Sequence, residues 1–241
     1  MTGHNWLVRA SQVGRLMTKG RGKEEWGATA IQVIKDAVLF NEYGIDKFVT
    51  SKHIEKGIIN EAESLEMVKR VTGWEIDLQK PKQRLVNNWV IGEPDLLDNG
   101  YLIDVKNSWD GTTFPWFDKE VPNNDYYFQL QTYMWLSGYK TSYLIYTLTS
   151  APEHMVFKEG ERLAYNLHPL PKYNDKSFDE MLEIGEKLAR QQLVFDQLDE
   201  SRRIKTFRID RNEDVIEQIR LRVEGAREMY DEFLKHLKTQ I

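Results

Sequence analysis

Apolar residues recur three and four positions apart along several stretches of the chain, a spacing that predicts amphipathic helices. The stretches are Glu25–Phe40, Ser51–Val71, Asp125–Tyr139, a segment opened by the capping box Ser177-x-x-Glu180, and a long final segment, about Asp214–Leu237. We expect Thr72-Gly73 to end the second helix and Gly138 to end the third, with Asn124 or Asp125 as its N-cap. The final helix is interpreted as packing along its own domain, with a coiled-coil or subunit contact as the alternative.

Other stretches have the pattern of strands. Between Trp74 and Ser108, short apolar runs alternate with turn residues, and Thr141–Ser150 is rich in β-branched and aromatic residues. Pro152–Asp175 contains three prolines and is interpreted as a loop. The resulting order predicts a mixed α/β or α+β fold in a single domain, with a core of about residues 1–150 and a helical extension of about 151–241.

Composition excludes several classes of protein. The chain has 241 residues, of which 41% are hydrophobic, enough for a real core. It has no cysteine, which excludes disulfides, thiolate zinc sites, iron–sulfur clusters and a cysteine nucleophile. No apolar run of membrane-spanning length and no signal pattern occur, so we expect a soluble cytoplasmic protein, in the host cytoplasm if it is viral.

Charge is unevenly distributed, although the net charge of -5 does not indicate a nucleic-acid binder. Residues 1–23 contain no acidic side chain. They carry the cations Arg9, Arg15, Lys19, Arg21 and Lys23. Taken alone, this segment is best interpreted as a solvated, flexible arm. The alternative is a surface that contacts phosphates, which requires an anionic substrate.

Asn99-Gly100 is a strong turn signal between two apolar runs and predicts a β-hairpin. Counting outward from a two-residue loop gives the pairs Asp98–Tyr101, Leu97–Leu102, Leu96–Ile103, Asp95–Asp104, Pro94–Val105 and Glu93–Lys106. Because strand side chains alternate between faces, the charged members Glu93, Asp95, Asp104 and Lys106 share one face. Leu96, Ile103 and Val105 occupy the other.

This register sets Asp95 directly opposite Asp104, with Cβ atoms about 5 Å apart. Such carboxylates repel each other unless one is protonated or a cation lies between them. Oxygen ligands at this spacing suit Mg²⁺ or Mn²⁺, and Lys106 would point at the same place, where it could orient a water or stabilise charge at phosphorus. The alternatives are a register slipped by one residue, or an exposed Asp104 with Lys106 paired to Glu93.

Three motifs resemble those of a known nuclease superfamily. Gly92-Glu93-Pro94-Asp95 followed by Asp104-Val105-Lys106 resembles the PD-(D/E)xK signature of metal-dependent nucleases. Gln129-Leu-Gln-Thr-Tyr133 resembles the QxxxY motif of its RecB-like and YqaJ/lambda-exonuclease branch. Lys56-Gly57-Ile-Ile-Asn60-Glu61 resembles the first-helix motif of that branch. Their order and spacing resemble those of phage-type exonucleases over about Arg9–Ile145.

The resemblance implies a restriction-endonuclease-like core, with a mixed central sheet flanked by helices, and additional C-terminal helices. It implies that Glu61, Asp95, Asp104 and the Val105 carbonyl bind one or two Mg²⁺ or Mn²⁺ ions, and that Lys106 is the catalytic lysine. It also implies that Gln129 and Tyr133 line the site and orient the lysine or a phosphate, with Gln131 as a weaker substitute for Gln129.

The N-terminal motif agrees only in part. Arg9-Ala10-Ser11 resembles the segment with which the family binds a terminal phosphate. Lambda-type enzymes have an arginine seven residues before that serine, where this chain has His4. Capture of a 5′-phosphate is therefore an open question.

Each motif residue also has a structural interpretation. Glu61 could be a solvated surface residue beside Glu63 and Glu66, and Tyr133 could be a core residue. His53 is interpreted as structural. The aromatic segment Ser108–Phe117 either packs or stacks on unpaired bases.

These observations favour a divalent-metal-dependent exonuclease acting at duplex DNA ends, as in phage recombination. The rivals are an endonuclease on the same fold and a non-catalytic DNA-binding or assembly protein. By analogy with the family, a single-strand annealing protein and a homo-oligomer are expected partners.

Overall fold

A computed structural model describes residues 2–22, 24–47, 50–168 and 176–239. Its helices are α1 (Ala10–Leu16), α2 (Ala28–Tyr43), α3 (Lys52–Ile59), α4 (Glu61–Thr72), α5 (Asn124–Ser137), α6 (Glu153–Leu167), α7 (Lys176–Leu193) and α8 (Glu213–Thr239). Its strands are β1 (Val8–Arg9), β2 (Leu85–Val86), β3 (Val90–Gly92), β4 (Leu96–Asp98), β5 (Tyr101–Asn107), β6 (Thr141–Thr147) and β7 (Ile204–Asp210).

The strands form two sheets with helices on their faces. The larger sheet has the order β4-β5-β6-β7, in which β5 and β6 are parallel and the other pairs are antiparallel. The smaller sheet has the order β1-β3-β2. The predicted mixed sheet flanked by helices is therefore confirmed.

The predicted hairpin register is confirmed for the three pairs nearest the turn. The ladder ends at Leu96, so the predicted pairs Asp95–Asp104, Pro94–Val105 and Glu93–Lys106 are not part of it. Leu96 pairs with Ile103, Leu97 with Leu102 and Asp98 with Tyr101. The two turn residues both have positive φ, 45° at Asn99 and 84° at Gly100. Asparagine and glycine tolerate this conformation, which matches the twist of the two strands and so determines their pairing.

The two faces of the hairpin pack against different helices, as the alternation of its side chains requires. On one face, Leu102 packs in a cluster with Leu130 and Met134 of α5. On the other, Ile103 and Val105 pack with residues of α4, among them Leu65 and Val68. The sheet is thereby fixed between α4 and α5, the helices that carry the Glu61 and Gln129 motifs.

The long helix α8 packs within its own chain, as the favoured interpretation predicts. Ile219, Val223 and Tyr230 lie in a core cluster with residues of α2 and of the N-terminal segment. The N-terminal segment is therefore part of the fold, and its interpretation as a flexible arm is wrong. Val8, Val13 and Leu16 are fully buried in the same cluster.

Other expectations are corrected by the structure. The predicted helix Ser51–Val71 is two helices, separated at Asn60. The interpretation of Pro152–Asp175 as a loop is wrong for α6, because Pro152 occupies the N-cap position, where its fixed φ does not oppose a helix; residues 169–175 lie outside the described range. Asn123, one residue earlier than predicted, caps α5, and its side chain accepts a hydrogen bond from the Asp125 N–H.

Strand β7 was not predicted, and Ser177 lies inside α7 rather than before it. Among the described residues, no helix is long and apolar enough to cross a membrane.

The packing of β3 against α5 and α1 depends on a glycine. A Cβ atom at Gly92 would lie 2.6 Å from the Tyr133 ring and 2.9 Å from the Ala10 Cβ atom. We expect Gly92→Ala to lower the free energy of unfolding by about 1–3 kcal/mol, since the ring must shift to admit the methyl group. Urea denaturation measures the difference.

Gly57 provides the matched control. It lies within helix α3, and a Cβ atom there would meet no atom within 4 Å. Gly57→Ala is expected to leave stability unchanged or raise it by up to ~1 kcal/mol, because alanine loses less backbone entropy in a helix. Equal stability of the two variants would show that the Tyr133 ring leaves room for a methyl group at position 92.

Candidate active site

A cleft of about 450 Å³ opens where β5 extends beyond the end of the hairpin. Its charged lining residues include Glu61, Asp95 and Lys106, and Val105 lines it as well. We call it the acidic cleft. Three of the four residues expected to bind a metal therefore border one space, together with the expected catalytic lysine.

Glu61 reaches this cleft because polar contacts fix the start of α4 on the sheet. The Asn60 side chain donates to Thr149 Oγ1 at 2.7 Å and to the Ser150 carbonyl at 2.8 Å. One turn later, Ser64 Oγ and Thr147 Oγ1 are hydrogen-bonded at 2.8 Å. Glu61 lies between these anchors and lines the cleft with a partly exposed side chain.

Asp95 is bound on both carboxylate oxygens. Its Oδ2 accepts the Val105 N–H at 2.8 Å, and its Oδ1 accepts from Lys82 Nζ at 3.1 Å. Lys82 Nζ also contacts Glu61 Oε1 at 2.7 Å, so one ammonium joins Glu61 and Asp95. Because the N–H and carbonyl of a strand residue point to the same side, the Val105 carbonyl is expected at the same edge of β5 as its N–H.

Asp104 is the most deeply buried of the carboxylates, at 2% exposure. Burial and repulsion from Asp95 raise its pKa to about 6, although the charge of Lys106 opposes this. Its Oδ2 forms an ion pair with Lys106 Nζ, and that ammonium also lies 4.8 Å from the centre of the Tyr126 ring. Burial lowers the pKa of Lys106, but the negative charges of Asp104 and Asp95 raise it by more, so the pKa lies above its usual value.

The QxxxY residues form a chain of hydrogen bonds behind Asp104. Gln129 Nε2 donates to Asp104 Oδ1 at 3.3 Å and to Tyr133 Oη at 2.8 Å. Tyr133 in turn donates to the Glu93 carbonyl at 3.2 Å. Gln129 therefore contacts Asp104 directly. It reaches Lys106 only indirectly, because Lys106 pairs with the same carboxylate. Gln131 bonds the Asp210 carbonyl and the Asn212 N–H instead, away from the cleft.

The donors at the cleft suit a hard divalent ion. They are carboxylate and carbonyl oxygens, the ligands that Mg²⁺ and Mn²⁺ prefer. Burial is the largest cause of the raised pKa of Asp104, and a cation bound near this carboxylate would lower it. Within the described ranges, however, no three acidic or histidine side chains converge closely enough to enclose an ion. Metal binding by Glu61, Asp95, Asp104 and Val105 therefore stays a prediction.

A second cleft, of about 300 Å³, is lined in part by Glu93 and Tyr133. Arg9, Ser11 and Arg84 line it, and we call it the arginine cleft. The Arg9-Ala10-Ser11 segment thus lies beside the candidate site, next to an arginine from elsewhere in the chain.

The other predicted phosphate contacts differ in position. Arg15 lies in α1, and Lys19 and Arg21 lie in the segment between α1 and α2. Of the described residues before 23, only Arg9, Ala10 and Ser11 line either cleft. Lys23 lies outside the described residues. DNA binding by these cations stays a prediction.

Helix α3 holds the far wall of the acidic cleft. Lys56, fully buried, donates to the Ser108 carbonyl at 2.6 Å and the Trp109 carbonyl at 3.0 Å, just beyond the end of β5. The Lys52 ammonium lies 4.6 Å from the centre of a Trp109 ring, and His53 packs against the same indole. His53 therefore has a packing contact, and it also lines the acidic cleft.

The aromatic side chains of the segment Ser108–Phe117 differ in exposure to solvent. Phe114 is buried, and Trp116 Nε1 donates to the Gly111 carbonyl at 2.6 Å. Phe117 is 94% exposed. Packing accounts for most of the segment, and base stacking stays a prediction for Phe117.

Three residues of the site escaped the sequence analysis. Lys82 and Arg84 belong to the basic stretch Lys80-Pro81-Lys82-Gln83-Arg84, a charge cluster that could have been noticed. Tyr126 precedes Gln129 by three residues, a spacing that sets both on one face of a helix.

Solved exonuclease structures resemble the chain over nearly its whole length. A phage-related exonuclease from Haemophilus somnus 129PT has a TM-score of 0.74 at 22% identity, covering 97% of each chain. The alkaline exonuclease LHK-Exo from Laribacter hongkongensis has a TM-score of 0.64 at 16% identity, covering 98% of this chain and 94% of its own. LHK-Exo in complex with dAMP has a TM-score of 0.62 at 16% identity, covering 97% and 92%.

The chain therefore shares its fold with these solved exonucleases. No protein-family model matches it, and no curated protein sequence matches it. The motifs that resembled those of phage-type exonucleases thus lie on the corresponding fold.

The burial of Lys56 generates a pH dependence of stability. Burial lowers its pKa from 10.5 to about 7, against the opposing charge of Asp110. Between these two values the unfolded chain holds a proton that the folded chain lacks. The free energy of unfolding should therefore rise with pH, by up to ~1.4 kcal/mol per unit. Lys56→Met should lose this contribution, measured as the wild-type minus variant difference in chemical denaturation at several pH values.

Lys69→Met removes an exposed lysine from the neighbouring helix α4 and should leave the profile parallel to wild type. A Lys56→Met profile that also runs parallel to wild type would contradict the buried environment of this amine.

Proposed function

We propose that the protein is a divalent-metal-dependent deoxyribonuclease that degrades duplex DNA from its ends. The observation that carries the proposal is the meeting of Glu61, Asp95 and Lys106 at one cleft, with Asp104 paired to that lysine. The fold that the chain shares with solved exonucleases agrees with the proposal. The residues of the site carry the argument, because one fold can host many functions.

The carboxylates would serve as ligands. Glu61, Asp95, Asp104 and the Val105 carbonyl would hold one or two Mg²⁺ or Mn²⁺ ions, which when bound supply a water of lowered pKa and a contact to a phosphate oxygen. Gln129 would keep Asp104 in its ligand orientation. Lys106, held between Asp104 and the Tyr126 ring, would position the attacking water or stabilise charge developing at phosphorus.

The arginine cleft would bind a terminal phosphate. Arg9 and Arg84 offer guanidinium groups, and Ser11 offers a hydroxyl, a combination that suits a phosphate group. Lambda-type enzymes have an arginine seven residues before the serine, where this chain has His4. Arg84 would supply the cation in place of that arginine. Arg15, Lys19, Arg21 and Lys23 would contact the DNA backbone without reading bases.

The biological setting is proposed from the resemblance. Phage-type recombination, a single-strand annealing protein as partner and a homo-oligomeric assembly are proposed by analogy with the family that the motifs resemble; the shared fold with a phage-related exonuclease supports the exonuclease part of this setting. The LHK-Exo complex with dAMP agrees with binding of nucleotides by this fold.

Replacing Asp104 tests the site. Asp104→Asn keeps the shape of the side chain but removes the charge that a divalent ion needs, so we expect nucleotide release from linear duplex DNA to fall at least ~100-fold. Release of acid-soluble nucleotides in Mg²⁺ measures it, and EDTA should abolish the wild-type activity.

Asp98→Asn is the matched control, because Asp98 is a buried carboxylate of the same hairpin that pairs with Lys80 rather than facing the cleft. It should retain the wild-type rate. Equal rates for Asp104→Asn and wild type would favour the non-catalytic DNA-binding alternative. Cutting of closed circular DNA by wild type would instead favour the endonuclease.

Replacing Arg84 tests the arginine cleft. Arg84→Gln should reduce the preference for 5′-phosphorylated over 5′-hydroxyl ends by about ten-fold or more, because a charge-assisted hydrogen bond to phosphate is lost. The ratio of kcat/KM values on the two ends measures it. Arg208→Gln, an exposed arginine on β7, should keep the wild-type ratio, and an unchanged ratio in Arg84→Gln would exclude this phosphate contact.

A further inference from the structure

One lysine joins the two carboxylates at the mouth of the acidic cleft. Lys82 Nζ lies 2.7 Å from Glu61 Oε1 and 3.1 Å from Asp95 Oδ1. It belongs to the irregular segment before β2, so its position is set by these two ion pairs rather than by a regular element. Its side chain is 36% exposed, whereas that of Asp95 is 14% exposed.

The same two carboxylates are needed for a divalent ion. An ammonium that donates to Glu61 and Asp95 uses the oxygen lone pairs that would otherwise coordinate a metal, and it brings a positive charge of its own. Lys82 and a divalent ion therefore compete for this pair. A long, flexible lysine stem allows the ammonium to move away without any change in the backbone.

The surroundings of Lys82 indicate where the ammonium would go. Arg84, two residues further along the same segment, lines the arginine cleft with Arg9 and Ser11. Glu93 lines the arginine cleft and Asp95, two residues later, lines the acidic cleft, so the two clefts adjoin here and a DNA strand that reaches both would pass this segment. A lysine released from Glu61 and Asp95 is thus close to where backbone phosphates would run.

We propose that Lys82 is a further substrate-binding residue, which holds Glu61 and Asp95 together until a divalent ion takes these carboxylates and which then contacts a DNA phosphate. This inference rests on the proposed function. It adds one step to that function: the Lys82 ammonium moves from Glu61 and Asp95 to a phosphate of the substrate when the metal binds.

The first test measures metal binding without DNA. Lys82→Met removes the competing ammonium, and the affinity for Mn²⁺ alone should rise about three- to thirty-fold, the range expected for loss of two partly exposed ion pairs. Titration of Mn²⁺ followed by electron paramagnetic resonance of the free ion gives the affinity, independent of catalysis.

Lys80→Met is the matched control. Lys80 lies in the same segment and has nearly the same exposure, 37%, but it pairs with Asp98. Removing it takes away the same charge without touching the acidic cleft, so the affinity for Mn²⁺ should stay at the wild-type value. Thermal melting of both variants confirms that they are folded.

The second test measures DNA binding with the metal present. With Ca²⁺ replacing Mg²⁺ to suppress hydrolysis, Lys82→Met should bind a 5′-phosphorylated duplex more weakly than wild type. The slope of log affinity against log salt is negative, and its magnitude should decrease by about 0.9, the value for one phosphate contact. Lys80→Met should keep the wild-type slope.

The outcomes separate this inference from the proposed function. If wild type binds Mn²⁺ and degrades DNA but Lys82→Met has the same or lower Mn²⁺ affinity, the exchange is wrong and the nuclease proposal stands. An unchanged salt slope in Lys82→Met would likewise overturn the phosphate contact. If wild type binds no Mn²⁺ and needs no divalent ion for DNA degradation, both proposals fail.

Discussion

Repulsion between carboxylates at the end of the β4–β5 hairpin is the constraint on which the site depends. Asp104 is buried beside Asp95, and burial of charged groups is costly unless opposite charges or hydrogen bonds offset it. Lys106 neutralises Asp104 from the same strand, and Lys82 joins Asp95 to Glu61. The elements around the hairpin are arranged so that these countercharges, and the Gln129 amide, reach the carboxylates.

Much of this site could be predicted from the sequence because its central part is local. The two-residue turn at Asn99-Gly100 determines the pairing of the flanking strands, and the period of two then assigns each side chain to a face. The four-residue spacing of Gln129 and Tyr133 sets both on one face of α5. Such inferences need only the geometry of a single hairpin or helix.

The contacts of Lys82, Arg84 and Tyr126 could not be predicted in the same way, because they join segments distant in sequence. The same reason explains the errors in the fold. The apolar residues of β7 are few and alternate with charged ones, and the strand is recognisable mainly by its pairing with β6. The basic N-terminal segment has the composition of a solvated arm, yet its Val8 and Leu16 complete a core provided by α2 and α8.

That core has a consequence for the synthesis of the protein. The Gly3 N–H donates to Asp231 at 2.7 Å, across 228 positions of sequence, and Arg227 donates to the Trp6 carbonyl. Contacts between such distant segments form only when both have left the ribosome, and they are slow to form. The N-terminal wall of the arginine cleft therefore acquires its final support only after α8 has left the ribosome.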